Sequence, residues 1–157
     1  MSDLIVMRLC SACLLGVRCR YDGKTKSNDK VLALAKVETL IPVCPEQLGG
    51  QATPRPDAEI VGGAGQDVID NKAKVLESDG TDVTKYFVLG AQETLKLANL
   101  LGIKEAILKQ RSPSCGSQRI YDGTFTKTLR EGDGVTAALL KINGITVISE
   151  EDLDGKH

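Results

Sequence analysis

The sequence predicts an α/β protein, a single-domain Rossmann-like layer in which an open, mainly parallel sheet is flanked by helices. Three observations carry this. Short apolar, β-branched runs alternate along the chain with segments of helical periodicity. Glycine-containing stops close the helical segments. The 157 residues suit one domain whose core can stand without disulfide staples. The domain is expected to take in residues 1–157, with a tail at 154–157 that reads as disordered or foreign to the fold. No internal repeat or low-complexity tract interrupts it.

Taken in order, residues 4–9 form an apolar run that reads as the first, buried strand, ending where Cys10 opens a polar, glycine-punctuated stretch. Residues 30–36 are rich in helix formers behind Asn28 or Asp29 as cap, and 39–43 return to strand composition, which completes a β-α-β unit. Residues 45–65 are dense in proline and glycine, so no long regular element fits there; an ordered loop or a cover over the site is expected. Thr81 or Asp82 caps a helix over 83–101 that Gly102 stops, and a strand follows at 105–108. Beyond another glycine-containing loop, 134–142 reads as a helix, Asn143-Gly144 as its left-handed stop and 145–148 as the last strand. Strands alternating with helices imply right-handed crossovers.

Charge and composition exclude several classes of function. Twenty basic residues balance twenty-one acidic ones, and aromatics make up 3%, so there is neither a basic footprint for nucleic acid nor a set of stacking platforms. The start Met1-Ser2-Asp3 has no basic leader and residues 4–7 are too short for a signal segment; nothing approaches a membrane span, and a cytoplasmic location is expected. The single histidine, His157, lies in the terminal tail, which leaves histidine-based acid-base catalysis aside.

The chemistry then falls to five cysteines: Cys10, Cys13, Cys19, Cys44 and Cys115. An odd number in a reducing compartment argues for metal or thiol chemistry over disulfides. In open parallel sheets the loops beyond the carboxyl ends of the strands form the binding edge. Cys10 and Cys13 after the first strand, Cys44 after the second and Cys115 after the 105–108 strand should converge there. Buried cysteines more often serve as small hydrophobes, but these sit in loops beside proline and glycine. Converging thiolates repel unless a cation neutralises them, and soft sulfur selects zinc or an iron-sulfur cluster. One Cys-x2-Cys pair with otherwise isolated cysteines leans toward a cluster, and spacing alone leaves zinc open. Cys10-Ser-Ala-Cys13 also has the spacing of a thioredoxin-like dithiol, although no helix signal follows it. Beside the cysteines, Glu46 and Ser112 are candidate acid-base and positioning groups. Pro45 and Pro113 bias Cys44 and Ser112 toward extended backbone, and Gly116 permits close backbone approach to a cofactor. Tyr21-Asp22-Gly23 and Tyr121-Asp122-Gly123 read as turns.

Ser11-Ala12-Cys13-Leu14-Leu15-Gly16, Cys19-Arg20-Tyr21-Asp22-Gly23, the run from Pro42 to Gly50 with Pro54-Arg55-Pro56, Asp82-Val83-Thr84, and Ser112-Pro113-Ser114-Cys115-Gly116 together resemble the thiouracil desulfurase family, also known as DUF523. The likeness runs from about residue 5 to residue 150. It implies a 4Fe-4S cluster on Cys13, Cys44 and Cys115 with one iron left open, Cys19 near the site without ligating, and Glu46 and Ser112 as catalytic side chains. It further implies a small thiopyrimidine substrate, 4-thiouracil or 2-thiouracil, with Cys10 outside the motif. On that basis the expected reaction is hydrolytic: sulfur binds the open iron, water attacks the thiocarbonyl carbon, and Glu46 moves the protons while Ser112 positions water or ring. A cluster-dependent sulfur-transfer or tRNA-thiolation protein is the rival enzyme, and a structural zinc-thiolate module the rival without catalysis. Oligomeric state has no signature in the sequence.

Overall fold

The computed structural model describes residues 6–153. Its centre is a four-stranded, wholly parallel sheet of β1 (Met7–Ser11), β2 (Thr39–Val43), β5 (Glu105–Leu108) and β8 (Thr146–Ser149), in the order β2-β1-β5-β8. The helices are α1 (Asp29–Leu34), α2 (Pro45–Leu48), α3 (Gly65–Ile69), α4 (Thr84–Leu101) and α5 (Val135–Ile142). Two short antiparallel ribbons complete the fold: β3 (Ala58–Val61) with β4 (Lys74–Glu77), and β6 (Arg119–Tyr121) with β7 (Leu129–Glu131).

The expected α/β layer is present. Strand β1 is buried on both faces, as a central parallel strand should be. Its Leu9 joins the core formed with Ala98, Leu108 and Leu140, where α4 and α5 pack. Its Cys10 points the other way, into a cluster with Leu14, Val31 and Ile107 beneath α1. Neighbouring residues on β1 therefore serve opposite layers.

The strand is displaced toward the C-terminus relative to its sequence expectation. Leu4 and Ile5, like the tail 154–157, lie outside the described residues. Cys10, expected to open a loop, instead pairs within the sheet opposite Pro42 and Ile107. Buried on both sides, the strand has no polar face to mark its end.

The proline- and glycine-rich span holds more structure than an ordered loop. It contains the single turn α2 and the strand β3, whose four residues pair with β4. A third core, with Ile60, Val75, Phe87 and Ile120 at its centre, packs both ribbons against α4 and α5. Strands this short carry too few alternations to be seen amid prolines and glycines.

Helix ends follow their chemistry. The Asn28 side chain accepts from the amides of Lys30 and Val31, and Gly102 closes α4 in the left-handed conformation at φ 68°. At the start of α4, Val83 takes the cap position while Asp82 Oδ1 accepts from the Thr84 amide.

Candidate active site

The chain leaves β1 for β2 on one side, and β5 returns on the other, so the strand order reverses between β1 and β5. The crevice at such a reversal is where open α/β sheets bind ligands. There the structure has a cavity of about 340 Å³, within the range of small-molecule sites. Cys13, Cys19, Cys44 and Cys115 line it together with Glu46 and Ser112. All of the residues singled out as ligands or catalytic groups thus meet at one cavity. Cys10 does not line it: still within β1 and paired on both sides, it is buried in the same core cluster as Cys13 and Cys19, with its thiol against the Ser11 carbonyl. Cys10 and Cys13 accordingly make no dithiol pair facing the cavity.

Each candidate is held by a local device. Cys13 lies in a 3-10 turn directly after β1. Cys44 is extended at φ −124°, ψ 98°, as the following proline demands, and caps α2 with Pro45 in the first helical position. Helix α2 is fixed in turn by α4. A Cβ on Gly90 would fall on the Pro45 carbonyl, and one on Gly49 would fall on the Tyr86 carbonyl. Two glycines thereby let the backbones touch and set the height of Cys44 and Glu46 over the sheet.

Cys115 is placed by α5. The amides of Val135 and Thr136 donate to the carbonyls of Pro113 and Ser114 at 2.8 and 2.9 Å. The orphan donors of the first helical turn are thus satisfied by the loop that carries the thiol. The hydroxyls of Ser114 and Thr136, 2.9 Å apart, add a second tie, and the absence of a Cβ at Gly134 leaves room for both. Gly116, expected to admit a cofactor, instead packs against the carbonyls of Ser112 and Arg119 within its own loop.

Glu46 sits in the first turn of α2 and pairs with Arg55 at 3.0 Å. Arg55 also donates to the carbonyls of Cys19 and Ala52 and to the Thr53 hydroxyl, while its amide donates to Tyr21 O at 2.8 Å. One guanidinium thus ties the Cys19 loop to the Glu46 carboxylate. Burial pushes the Glu46 carboxyl above its ordinary range, and the charge and hydrogen bond of Arg55 oppose that rise.

The thiols behave as a coupled group. Interaction with the Cys13 side chain pushes Cys19 up to about 11, with Cys44 opposing and burial reinforcing the rise. Cys44 is raised first by Cys19 and then by burial, and burial pushes Cys115 up to about 12. Crowded, buried thiols disfavour their thiolates until a cation arrives to neutralise them, which is the donor set that an iron-sulfur cluster or zinc takes. Cys13, Cys19, Cys44 and Cys115 all face the one cavity. Cys13, Cys44 and Cys115 come from three different loops; Cys19 is as close to the cavity as they are.

Several lining residues carried no role in the sequence. Arg55 stood between two prolines, a charged side chain in a turn with nothing to reveal its partners. Glu59 is buried on β3, and its Oε1 accepts from the amides of Gly123 and Phe125 at 2.9 and 3.2 Å, which docks the β6–β7 ribbon beside the cavity. Gly123, at φ 91°, has no room for a side chain against the Ile60 carbonyl. Tyr21-Asp22-Gly23 is a turn, as expected, whereas Tyr121 ends β6 and the chain bends only at Gly123; both Tyr21 and Tyr121 line the cavity.

A family profile described as 2-thiouracil desulfurase matches residues 9–152. A protein described as "Uncharacterized protein YbbK" from Bacillus subtilis (strain 168) is 47% identical over 148 residues, covering 94% of this chain and 98% of the relative. A solved structure described as [4Fe-4S]-dependent thiouracil desulfidase TudS (DUF523Vcz) superposes with a TM-score of 0.82 at 42% identity, covering 94% of this chain and 93% of that one. Among the described residues, no helix is long and apolar enough to cross a membrane.

Proposed function

The chain belongs to the 2-thiouracil desulfurase family, and from that premise we propose that it desulfurises 4-thiouracil, 2-thiouracil or both to uracil and sulfide, by hydrolysis. The observation that carries this reading is the meeting of Cys13, Cys44 and Cys115 with Glu46 and Ser112 at one cavity on the binding edge of the sheet. The likeness to a [4Fe-4S]-dependent desulfidase supports the choice of cluster over zinc.

When bound to Cys13, Cys44 and Cys115, a 4Fe-4S cluster would supply one iron without a protein ligand, a thiophilic Lewis acid that prefers a thiocarbonyl sulfur to a carbonyl oxygen. The remaining work falls to the chain. Water adds to the thiocarbonyl carbon, the C–S bond breaks, and the balance is one water consumed and one hydrogen sulfide released, with no net electron transfer. Glu46 takes the proton from the attacking water and returns it to the departing sulfur or the ring. Its buried setting keeps the protonated form accessible, and Arg55 holds the carboxylate in one orientation. Ser112 accepts from two backbone amides through its oxygen, so its own hydrogen is left to donate to water or substrate.

The test begins with iron and acid-labile sulfide in anaerobically prepared protein. About four of each per chain are expected, lost in Cys13→Ala, Cys44→Ala and Cys115→Ala. Glu46→Gln should keep both and lose sulfide release from 4-thiouracil. Stoichiometric zinc without sulfide would sink the reading, and a fully active Glu46→Gln would remove that residue from the mechanism.

A further inference from the structure

Gln110, two residues beyond β5, lies with Ser112 on the cavity wall and is 8% exposed. It is anchored at every polar group but one. Its amide donates to Glu150 Oε1 at 2.8 Å, and its carbonyl accepts from Lys109 Nζ at 2.8 Å. Its side-chain oxygen accepts from the amides of Arg111 and Ser117 at 3.1 and 3.0 Å. Both of those neighbours are backbone N–H groups, which can only donate, so the carboxamide has a single possible orientation: oxygen toward the loop and nitrogen away from it. The left-handed backbone of Arg111, at φ 71°, is what folds its amide back onto that oxygen. A bulky residue in that conformation is uncommon.

Nothing among the described residues accepts a hydrogen bond from Gln110 Nε2. Nor is that atom sealed in protein, since the fully enclosed side-chain atoms without partners among the described residues are Glu38 Oε1 and Gln51 Oε1. The open space beside a nine-tenths-buried lining residue is the cavity it lines. A fixed carboxamide thus presents two unused N–H donors to the site, and a ligand that fits there must supply an acceptor or leave a buried donor unpaired.

Resting on the thiouracil reading above, we propose that Gln110 is a specificity residue whose Nε2 donates to the remaining oxo group of the thiopyrimidine ring. In 4-thiouracil and in 2-thiouracil alike, the ring edge runs thiocarbonyl, N3–H, carbonyl. With the sulfur directed to the thiol-lined side, the carbonyl of either isomer falls at the same distance around the ring, so one donor serves both. A thione without that oxygen leaves the donor unpaired, the circumstance in which polar sites discriminate most strongly.

The experiment compares sulfide release from 4-thiouracil with release from pyrimidine-4-thione, which lacks the 2-oxo group and with it one ring N–H, under conditions where both are neutral. Wild type is measured beside Gln110→Glu, whose carboxylate still accepts from Arg111 and Ser117 but offers no donor, and Gln110→Met, similar in length and without either group. The ratio of kcat/KM for the two compounds should fall about tenfold from wild type to the variants, mainly through KM for 4-thiouracil. The intrinsic reactivity of each compound cancels in that comparison. Iron and sulfide content report whether each variant keeps the site; if neither does, wild-type preference decides, and equal kcat/KM for the two compounds overturns the proposal. An unchanged ratio in a variant with full iron and sulfide also overturns it. If wild type acts on 2-thiouracil alone, the same comparison is made between 2-thiouracil and pyrimidine-2-thione; sulfide release from neither thiouracil would remove the thiouracil reading, and the role of Gln110 with it.

Discussion

Ser112 Oγ lies 3.0 Å from the amide nitrogens of both Ser114 and Cys115, so the hydroxyl proposed to act on substrate also closes the turn that aims the Cys115 thiol. The two duties can be separated. Ser112→Ala removes the acceptor as well as the hydroxyl, and should cost about 1 kcal/mol of stability, the usual cost of losing such a cap, along with sulfide release. Ser112→Asn brings an amide oxygen that closes similar turns, and should restore the urea midpoint without restoring turnover. Recovery of both in Ser112→Asn would reduce Ser112 to a turn residue.

The contact between Gly90 of α4 and Pro45 of α2 predicts an effect at a distance from the chemistry. Gly90→Ala puts a methyl where the Pro45 carbonyl stands, and a carbonyl cannot swing aside as a side-chain tip can. Overpacking of this kind costs about 1–3 kcal/mol. Because α2 carries Glu46 and is capped by Cys44, urea unfolding should show the loss and iron content should fall with it. A variant as stable as wild type, with full iron, would mean that α2 is free to slide.

These two contacts show where sequence reading succeeds and where it stops. The long helices are legible because they repeat a period over several turns, the central strands because each is a short apolar run next to such a helix, and the convergence of the cysteine loops follows from topology alone. The motif residues Cys13, Cys44, Cys115, Glu46 and Ser112 meet in the structure because they end strands or begin helices on the same edge. Cys10 went astray because a strand buried on both faces gives no boundary signal, so a residue read as the start of the loop is still paired within the sheet. The ribbons β3–β4 and β6–β7 were missed because their strands of three or four residues lie among prolines, glycines and polar loop residues, without the apolar run that marks β5 and β8. Arg55, Glu59 and Gln110 act through partners that lie 9, 64 and 40 positions away in the chain, a distance that no local pattern encodes.

The placement of the thiols predicts that two of the five cysteines are dispensable to the cofactor. Cys10→Ala empties a small volume under α1 and should cost about 1 kcal/mol while leaving iron and sulfide at wild-type levels. Cys19→Ala tests the harder case, since Cys19 lines the cavity with the proposed ligands and interacts with Cys13 and Cys44. Iron and labile sulfide should survive in Cys19→Ala as well. Loss equal to that in Cys44→Ala would make Cys19 a fourth ligand, leave no iron open to substrate, and require a different mechanism.

Glu59 predicts a pH dependence with a definite sign. Its carboxyl is raised above its ordinary value, first by burial, with the amides of Phe125 and Gly123 opposing. A carboxyl with a folded-state pKa above its unfolded value binds more protons in the folded protein. Its contribution to stability is therefore greatest below the unfolded pKa of about 4.5 and is lost as pH rises through the folded one. Glu59→Gln keeps a side-chain oxygen for the Gly123 and Phe125 amides and removes the desolvated charge. The variant should melt at a higher temperature than wild type at neutral and alkaline pH, with the difference closing as the pH falls below 4.5. A variant that melts lower than wild type at neutral pH would mean that the carboxylate's hydrogen bonds to the ribbon outweigh its burial, and that the ribbon is held in place by charge.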